Sequence, residues 1–207
     1  MSLSGQSRNG AGLRSRLATL RHYHQIADVG EIARRYFPMN GFDGVLTSLG
    51  IVTGAYFGGV NDVASVIVVL ASASLSLGVS GFYGTYLSEQ AERARELREL
   101  EETMLSRLAT TDIASAARYA TLATASIAGV ASALGGLVMC IPLALQPLLG
   151  VRGAFYAAWC VAVLELVFLG VYLGRVSRGR VIVSSVKFLL AGGVAFGLSL
   201  LLNVAGL

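Results

Sequence analysis

Five apolar segments leave this chain little choice of fold, because each approaches or exceeds the roughly 20 helical residues that a hydrocarbon core takes. They lie near Phe42 to Val60, Val63 to Leu87, Ala120 to Leu145, Ala154 to Leu173 and Val181 to Leu202. Segments of that length satisfy their backbone in lipid only as helices. The sequence therefore predicts an all-α integral membrane protein with five transmembrane helices. With 55% hydrophobic and 14% charged residues and a mean hydropathy of +0.68, the chain is too apolar for a soluble domain. Its formal net charge of +4 is no nucleic-acid footprint, since the arginines gather in particular connections. Arg34 and Arg35 precede the first segment; Arg93, Arg95, Arg98, Arg107 and Arg118 lie between the second and third; Arg175, Arg178 and Arg180 lie between the fourth and fifth. The other side holds only Arg152, so the positive-inside rule sets the N-terminus in the cytoplasm and the C-terminus outside.

Two regions follow from this layout. Residues 1–37 read as a cytoplasmic N-terminal segment, and 38–207 as the five-span domain with a cytoplasmic helical extension over 88–110. The first twelve residues are rich in Ser, Gly and Asn, and no signal-peptide pattern is expected in them. Leu13, Leu17 and Leu20, with Arg14, Arg16 and Arg21 around them, suggest a basic amphipathic helix on the membrane surface. His22 and His24, two apart, do not share a helical face. Asp28 and Glu31 have the form of a capping box opening a short helix, and Pro38 is expected to bend the chain into the first span. In the extension, Leu97, Leu100, Met104 and Leu108 recur at helical spacing while Glu92, Glu96 and Glu99 line another face. Those acids could collect cations, but Arg95 and Arg98 interleave with them and make intrahelical pairs the competing reading.

Small residues recur every four positions in two spans: Ser72, Ser76, Ser80, Gly84 and Ser88 in the second, and Ala116, Ala120, Thr124, Ala128, Ser132 and Gly136 in the third. Such ridges permit close helix crossings. Five helices form a thin shell around any internal path, so a homodimer with a shared central seam is the economical expectation. Ridges that only pack the monomer are the alternative.

The first span supplies a chemical feature. On a helix Asn40, Asp43, Thr47, Gly50 and Gly54 share a face, and a two-fold seam there would bring two carboxylates, two amides and two hydroxyls together. Oxygen donors suit hard or borderline divalent ions, and paired carboxylates in low dielectric hold either a cation or a shared proton. The competing reading makes Asn40 a helix cap and Asp43 a first-turn residue stabilised by the helix dipole. Elsewhere, Glu165 and Lys187 are equally distant from Val176 and are expected to form a neutralised structural pair. Cys140 and Cys160 fall in apolar segments, where small apolar packing is commoner than metal ligation.

Several runs carry a family resemblance. FDGVLTSLGIVTG resembles the first span of the vacuolar iron transporter family, GVSGFYGTYLSEQAE its second-span ending, GGLVMCIP its third span, and the run from Leu164 to Leu202 its fourth and fifth. The resemblance covers Pro38 to the C-terminus and implies a dimeric exporter of divalent metals, ferrous iron or manganese(II), from the cytoplasm, coupled to protons. It also implies a path between the first spans of two protomers. Asp43 falls on the family's first-span aspartate. Thr85 and Gly81 stand where the family has a glutamate and a methionine, and the short connection leaves no room for the large cytoplasmic metal-binding domain of some members.

Together these readings predict a metal transporter, with Asp43 as shared cation and proton site, Asn40 and Thr47 as neutral oxygen donors, and Glu92, Glu96 and Glu99 as a metal-collecting vestibule. The metal is substrate; no cofactor and no enzyme chemistry are expected. The expected partners are the lipid bilayer, divalent metal ions and a second copy, in a prokaryotic cell membrane or a vacuole-like organelle membrane. Two alternatives stay open: another substrate carried by the same fold, or a membrane scaffold acting through its cytoplasmic helix.

Overall fold

The computed structural model describes residues 29–105, 107 and 111–205, apart from the side chains of Val29 and Glu31. The expected surface helix, His22, His24, Asp28 and Leu108 lie outside those residues. The described chain forms α1 (Val29–Phe57), α2 (Val63–Met104), α3 (Asp112–Leu137), a short α4 (Cys140–Ala144), α5 (Gln146–Val176) and α6 (Val181–Val204). Four stretches are long and apolar enough to cross a membrane: α2, α3 together with α4, α5, and α6. The expectation of five apolar spans is thus met by four, because Asn40, Asp43, Thr47, Ser48 and Thr53 dilute the apolar run of α1. That dilution is sheltered, since α1 packs against α2, α3, α5 and α6 and buries Val45, Leu49 and Val52 among them.

The beginning of α1 also departs from expectation. No short helix ends before Pro38; one helix of 29 residues runs through it, with Pro38 buried inside. Proline removes one backbone hydrogen bond, and in a helix packed by neighbours that loss is tolerated rather than helix-ending. Downstream, α2 continues unbroken for 42 residues, about 63 Å at ~1.5 Å per residue and twice the ~30 Å hydrocarbon core. The expected extension is therefore continuous with its span. It ends at Met104, where Leu105 turns left-handed at φ 51°. Within α5, Gly150 breaks the helix at φ 72°, ψ 166°, a conformation open to glycine and little else.

Glycine contacts set how the helices meet. A methyl group added at Gly44 would strike the Ser132 backbone carbonyl, and one at Gly135 would meet the carbonyl of Gly41, so α1 and α3 touch backbone to backbone. Gly78 faces Ala133 and Gly129 across the α2–α3 crossing. Gly170 lies on Ser185 and Gly174 on Val181, which fixes α5 and α6 as an antiparallel pair about the turn between Ser177 and Arg180. Of the two small-residue ridges, that of α3 (Ala116, Ala120, Thr124, Ala128, Ser132, Gly136) is buried throughout, and that of α2 (Ser72, Ser76, Ser80, Gly84, Ser88) is exposed throughout. One packs the protomer; the other faces outward. An aromatic cluster of Tyr56, Phe155, Tyr156 and Trp159 ties α1 to α5 at the other end, where Trp159 Nε1 donates to Thr53 Oγ1 at 3.2 Å.

The start of α2 carries a titratable cap. Asp62 accepts hydrogen bonds from the Ala64 backbone N–H at 3.2 Å and from the Ser65 hydroxyl, and the Ser65 bond above all holds its carboxyl below the usual carboxylate range. A depressed folded-state pKa contributes stability above the unfolded value and loses it as pH falls through the folded one. The expected outcome is fraying of the first turn of α2 on acidification, read as smaller protection factors (exchange relative to the unstructured rate at the same pH) at Ala64 and Ser65; Asp62→Ala removes that pH dependence.

Candidate functional site

Asp43 lies well inside α1 rather than at its start. The helix begins at Val29, three turns or more before Asn40 and Asp43, so neither residue caps it. The contacts of its neighbours set its level relative to the α5–α6 turn. Gly41 faces Leu169 of α5, and the Phe42 and Phe188 rings meet at 4.8 Å. Leu169 and Phe188 each lie about eight residues, or ~12 Å of helix, from the α5–α6 turn. Asp43 follows about 3 Å farther from that turn, ~15 Å along the bundle.

The side chains around it divide between two faces. Asp43, Thr47 and Gly54 are exposed on the protomer, and an added methyl at Gly54 meets nothing within 4 Å. Asn40, expected beside them as a ligand, is turned inward. Its amide N–H donates to the Tyr36 carbonyl at 3.0 Å, and its Oδ1 accepts a long, weak hydrogen bond from Ser132 Oγ at 3.4 Å. Gly81 sits beneath that contact, with an added methyl falling 3.0 Å from Asn40 Oδ1 and 2.8 Å from Ser132 Oγ. The space a methionine would need at position 81 is thus occupied by Asn40 and Ser132. Thr85 is buried, directed into the protomer rather than toward the Asp43 face.

The extension does not gather its acids into a centre. Glu92, Glu96 and Glu99 are exposed, and Glu99 takes Arg95 at 2.9 Å as an ordinary i,i+4 pair. Such exposed pairs add little to stability. Among the described residues no group of three His, Cys, Asp or Glu side chains is placed to hold a metal ion. Nearer the bundle, Glu89 and Arg93 form a sheltered pair at 3.3 Å with side chains only 12% and 11% exposed, and Tyr36 of α1 lies beside Glu89. That contact fastens α2 to the start of α1, and sequence reasoning missed it; the E-x-x-x-R spacing after an apolar run was the available signal.

The expected Glu165–Lys187 pair is not formed. Glu165 Oε2 is buried without a hydrogen-bond partner, and Lys187 is exposed. The turn is centred beyond Val176, and the Gly170–Ser185 and Gly174–Val181 contacts bring Glu165 level with Leu190 instead. Cys140 is half-buried and Cys160 exposed, both as free thiols.

Comparison with protein-family models, with curated proteins and with solved structures finds no match. Among the described residues the fold is all-helical, with four helices long and apolar enough to cross a membrane, which suggests a multi-pass membrane protein. The resemblance to the vacuolar iron transporters rests on the quoted sequence runs.

Proposed function

We propose that this chain is a proton-coupled transporter of divalent metal ions that works as a homodimer, its α1 helices meeting along Asp43, Thr47 and Gly54. In this reading α1 crosses the membrane as the first of five spans, with the N-terminus in the cytoplasm. The observation that carries it is the position of Asp43: a carboxylate on the outer face of a packed helix, level with the interior of the bundle and, among the described residues, with no ion pair to neutralise it; in this reading that level falls within the hydrocarbon core. A charge there is costly unless something outside the protomer compensates it. A second copy across a two-fold axis brings a second carboxylate, and a divalent cation or shared protons then balance the pair. The exposed ridge of Ser76, Ser80 and Gly84 on α2 is a second small-residue surface open to a neighbouring helix. Asp43 and Thr47 supply oxygen ligands suited to iron(II) or manganese(II).

The test is uptake of iron(II) and manganese(II) into vesicles holding the purified protein, with and without a pH gradient. Flux that follows the gradient supports the reading, and none from well-folded dimers removes it. The seam has its own test. Gly54→Leu should leave the protomer folded, because its added side chain meets open space, yet abolish dimers seen by cross-linking in native membranes. A Gly54→Leu protein that cross-links as wild type puts the seam elsewhere.

A second reading draws on the α2 extension, whose Leu100 and Met104 are 43% and 58% exposed. There the same fold presents an apolar helix face to a partner protein. Leu100→Ser with Met104→Ser would release that partner without altering metal flux.

A further inference from the structure

Glu165 belongs to no part of the site described above. It lies on α5 with Ala158, Ala162 and Leu169, spaced three and four residues apart on one face, and those three are buried. Leu169 reaches Gly41 of α1, so this stripe is the surface that α5 turns toward the core. In the midst of it Glu165 is half-buried, and its Oε2 is fully buried with no partner. From Ser177 it is about twelve residues, or ~18 Å of helix, inward, within one helical turn of the depth of Asp43. Gly41 faces Leu169 while Asp43 points to the exposed side. The two carboxyls therefore stand at one level with α1 between them.

A carboxylate at that depth needs accompanying positive charge, and an unpaired one is among the most expensive groups a membrane interior can hold. Among the described residues no side chain supplies the charge. The titratable groups with described side chains on the elements packed against α5 are Arg34, Arg35, Tyr36, Asp43 and Tyr56 of α1, Cys140 of α4 and Lys187 of α6, with Arg34 and Arg35 exposed near the start of α1. None makes an ion pair or hydrogen bond with Glu165, and Lys187 points outward. A divalent metal is a poor fit, because it takes about six oxygen ligands and the stripe otherwise offers only alanine and leucine. A proton needs one carboxyl.

We propose that Glu165 is a proton-binding site inside the membrane, level with Asp43 and screened from it by α1, which loads and unloads during the transport cycle. Proton binding stands on the geometry alone; the part in the cycle rests on the transport reading above.

The experiment uses the full chain in lipid vesicles and a hydrophobic carbodiimide, which adds to a protonated carboxyl and leaves a stable acylurea. The expected result is labelling of the peptide carrying Glu165, falling about tenfold per pH unit on the alkaline side as for a one-proton titration. It should persist in Asp43→Asn and vanish in Glu165→Gln. Infrared difference spectra of wild type against Glu165→Gln serve as a second readout, through a protonated carboxylic acid stretch that disappears with the same titration. Absence of both the label and the band overturns the site. Glu165→Gln vesicles that move metal with undiminished dependence on the pH gradient overturn its part in the cycle. A wild type that titrates at Glu165 but moves no metal leaves the proton site standing and removes the transport reading.

Discussion

On the transport reading proposed above, Asp43→Asn is expected to reduce metal flux to the level of protein-free vesicles while the protein folds and dimerises as wild type does. Asparagine keeps the shape and one oxygen of the side chain but removes the charge. Asp43 is exposed and accepts no hydrogen bond from the described residues, so little folding energy is tied to that carboxylate. In a two-fold site the substitution takes both negative charges from the cation at once. Even the partners that merely orient metal ligands cost about 10–100-fold in affinity when changed. Loss of the charged ligands themselves should be at least as large, about 100-fold or more in uptake at limiting metal. Uptake and dimer yield from the same preparation check this. A variant that transports within a few-fold of wild type would mean that the exposed face of α1 does not carry the ion.

The position of Asp43 was only partly legible in the sequence. A period of 3.6 residues grouped it correctly with Thr47 and Gly54, which share its exposure. The same period grouped Asn40 with them, but Asn40 lies at the edge of that stripe, where the Tyr36 carbonyl and Ser132 take up its amide. Periodicity gives an angle, and an angle near a boundary does not decide which neighbour a side chain reaches. The beginning of α1 was misread for a related reason. Pro38 signals a break where water can take over lost hydrogen bonds, and here it is buried among other helices. The spans of α2, α3, α5 and α6 were legible because lipid demands long apolar runs, whatever their partners.

Pairings between helices were harder to read. Glu165 and Lys187 match if the turn is centred at Val176, but a shift of one or two residues moves a helical side chain by 100° or more around its axis. The close contacts at Gly170 and Gly174 fix the actual register, and no local pattern announces which glycine will meet which backbone. The small ridge of α3 could be read from sequence, yet whether it faced the protomer or another copy could not, since both uses ask for the same small residues. The structure assigns the α3 ridge to the protomer and leaves the α2 ridge outward.

Gly44→Val is expected to destabilise the fold strongly, because the added side chain falls on backbone rather than on a side chain that can move. A Cβ at Gly44 falls on the backbone carbonyl of Ser132 and 3.1 Å from the Gly136 backbone nitrogen. Neither can rotate away as a side chain would, so α1 and α3 must part. Their separation would also loosen Gly135 from Gly41 and Gly136 from Ser48, contacts that depend on the same crossing. Overpacking a core costs about 1–3 kcal/mol when side chains give way. Displaced backbone sets the expected cost at the upper end, and ~3 kcal/mol is about a hundredfold in the folding equilibrium. Gly54→Val on the same helix is the control, matched in propensity cost but facing open space. The thermal midpoint of the protomer in detergent should drop steeply for Gly44→Val and hold for Gly54→Val. Equal midpoints would show that α1 and α3 do not meet through Gly44, and with that the inward turn of Asn40 and the outward position of Asp43 would both lose their basis.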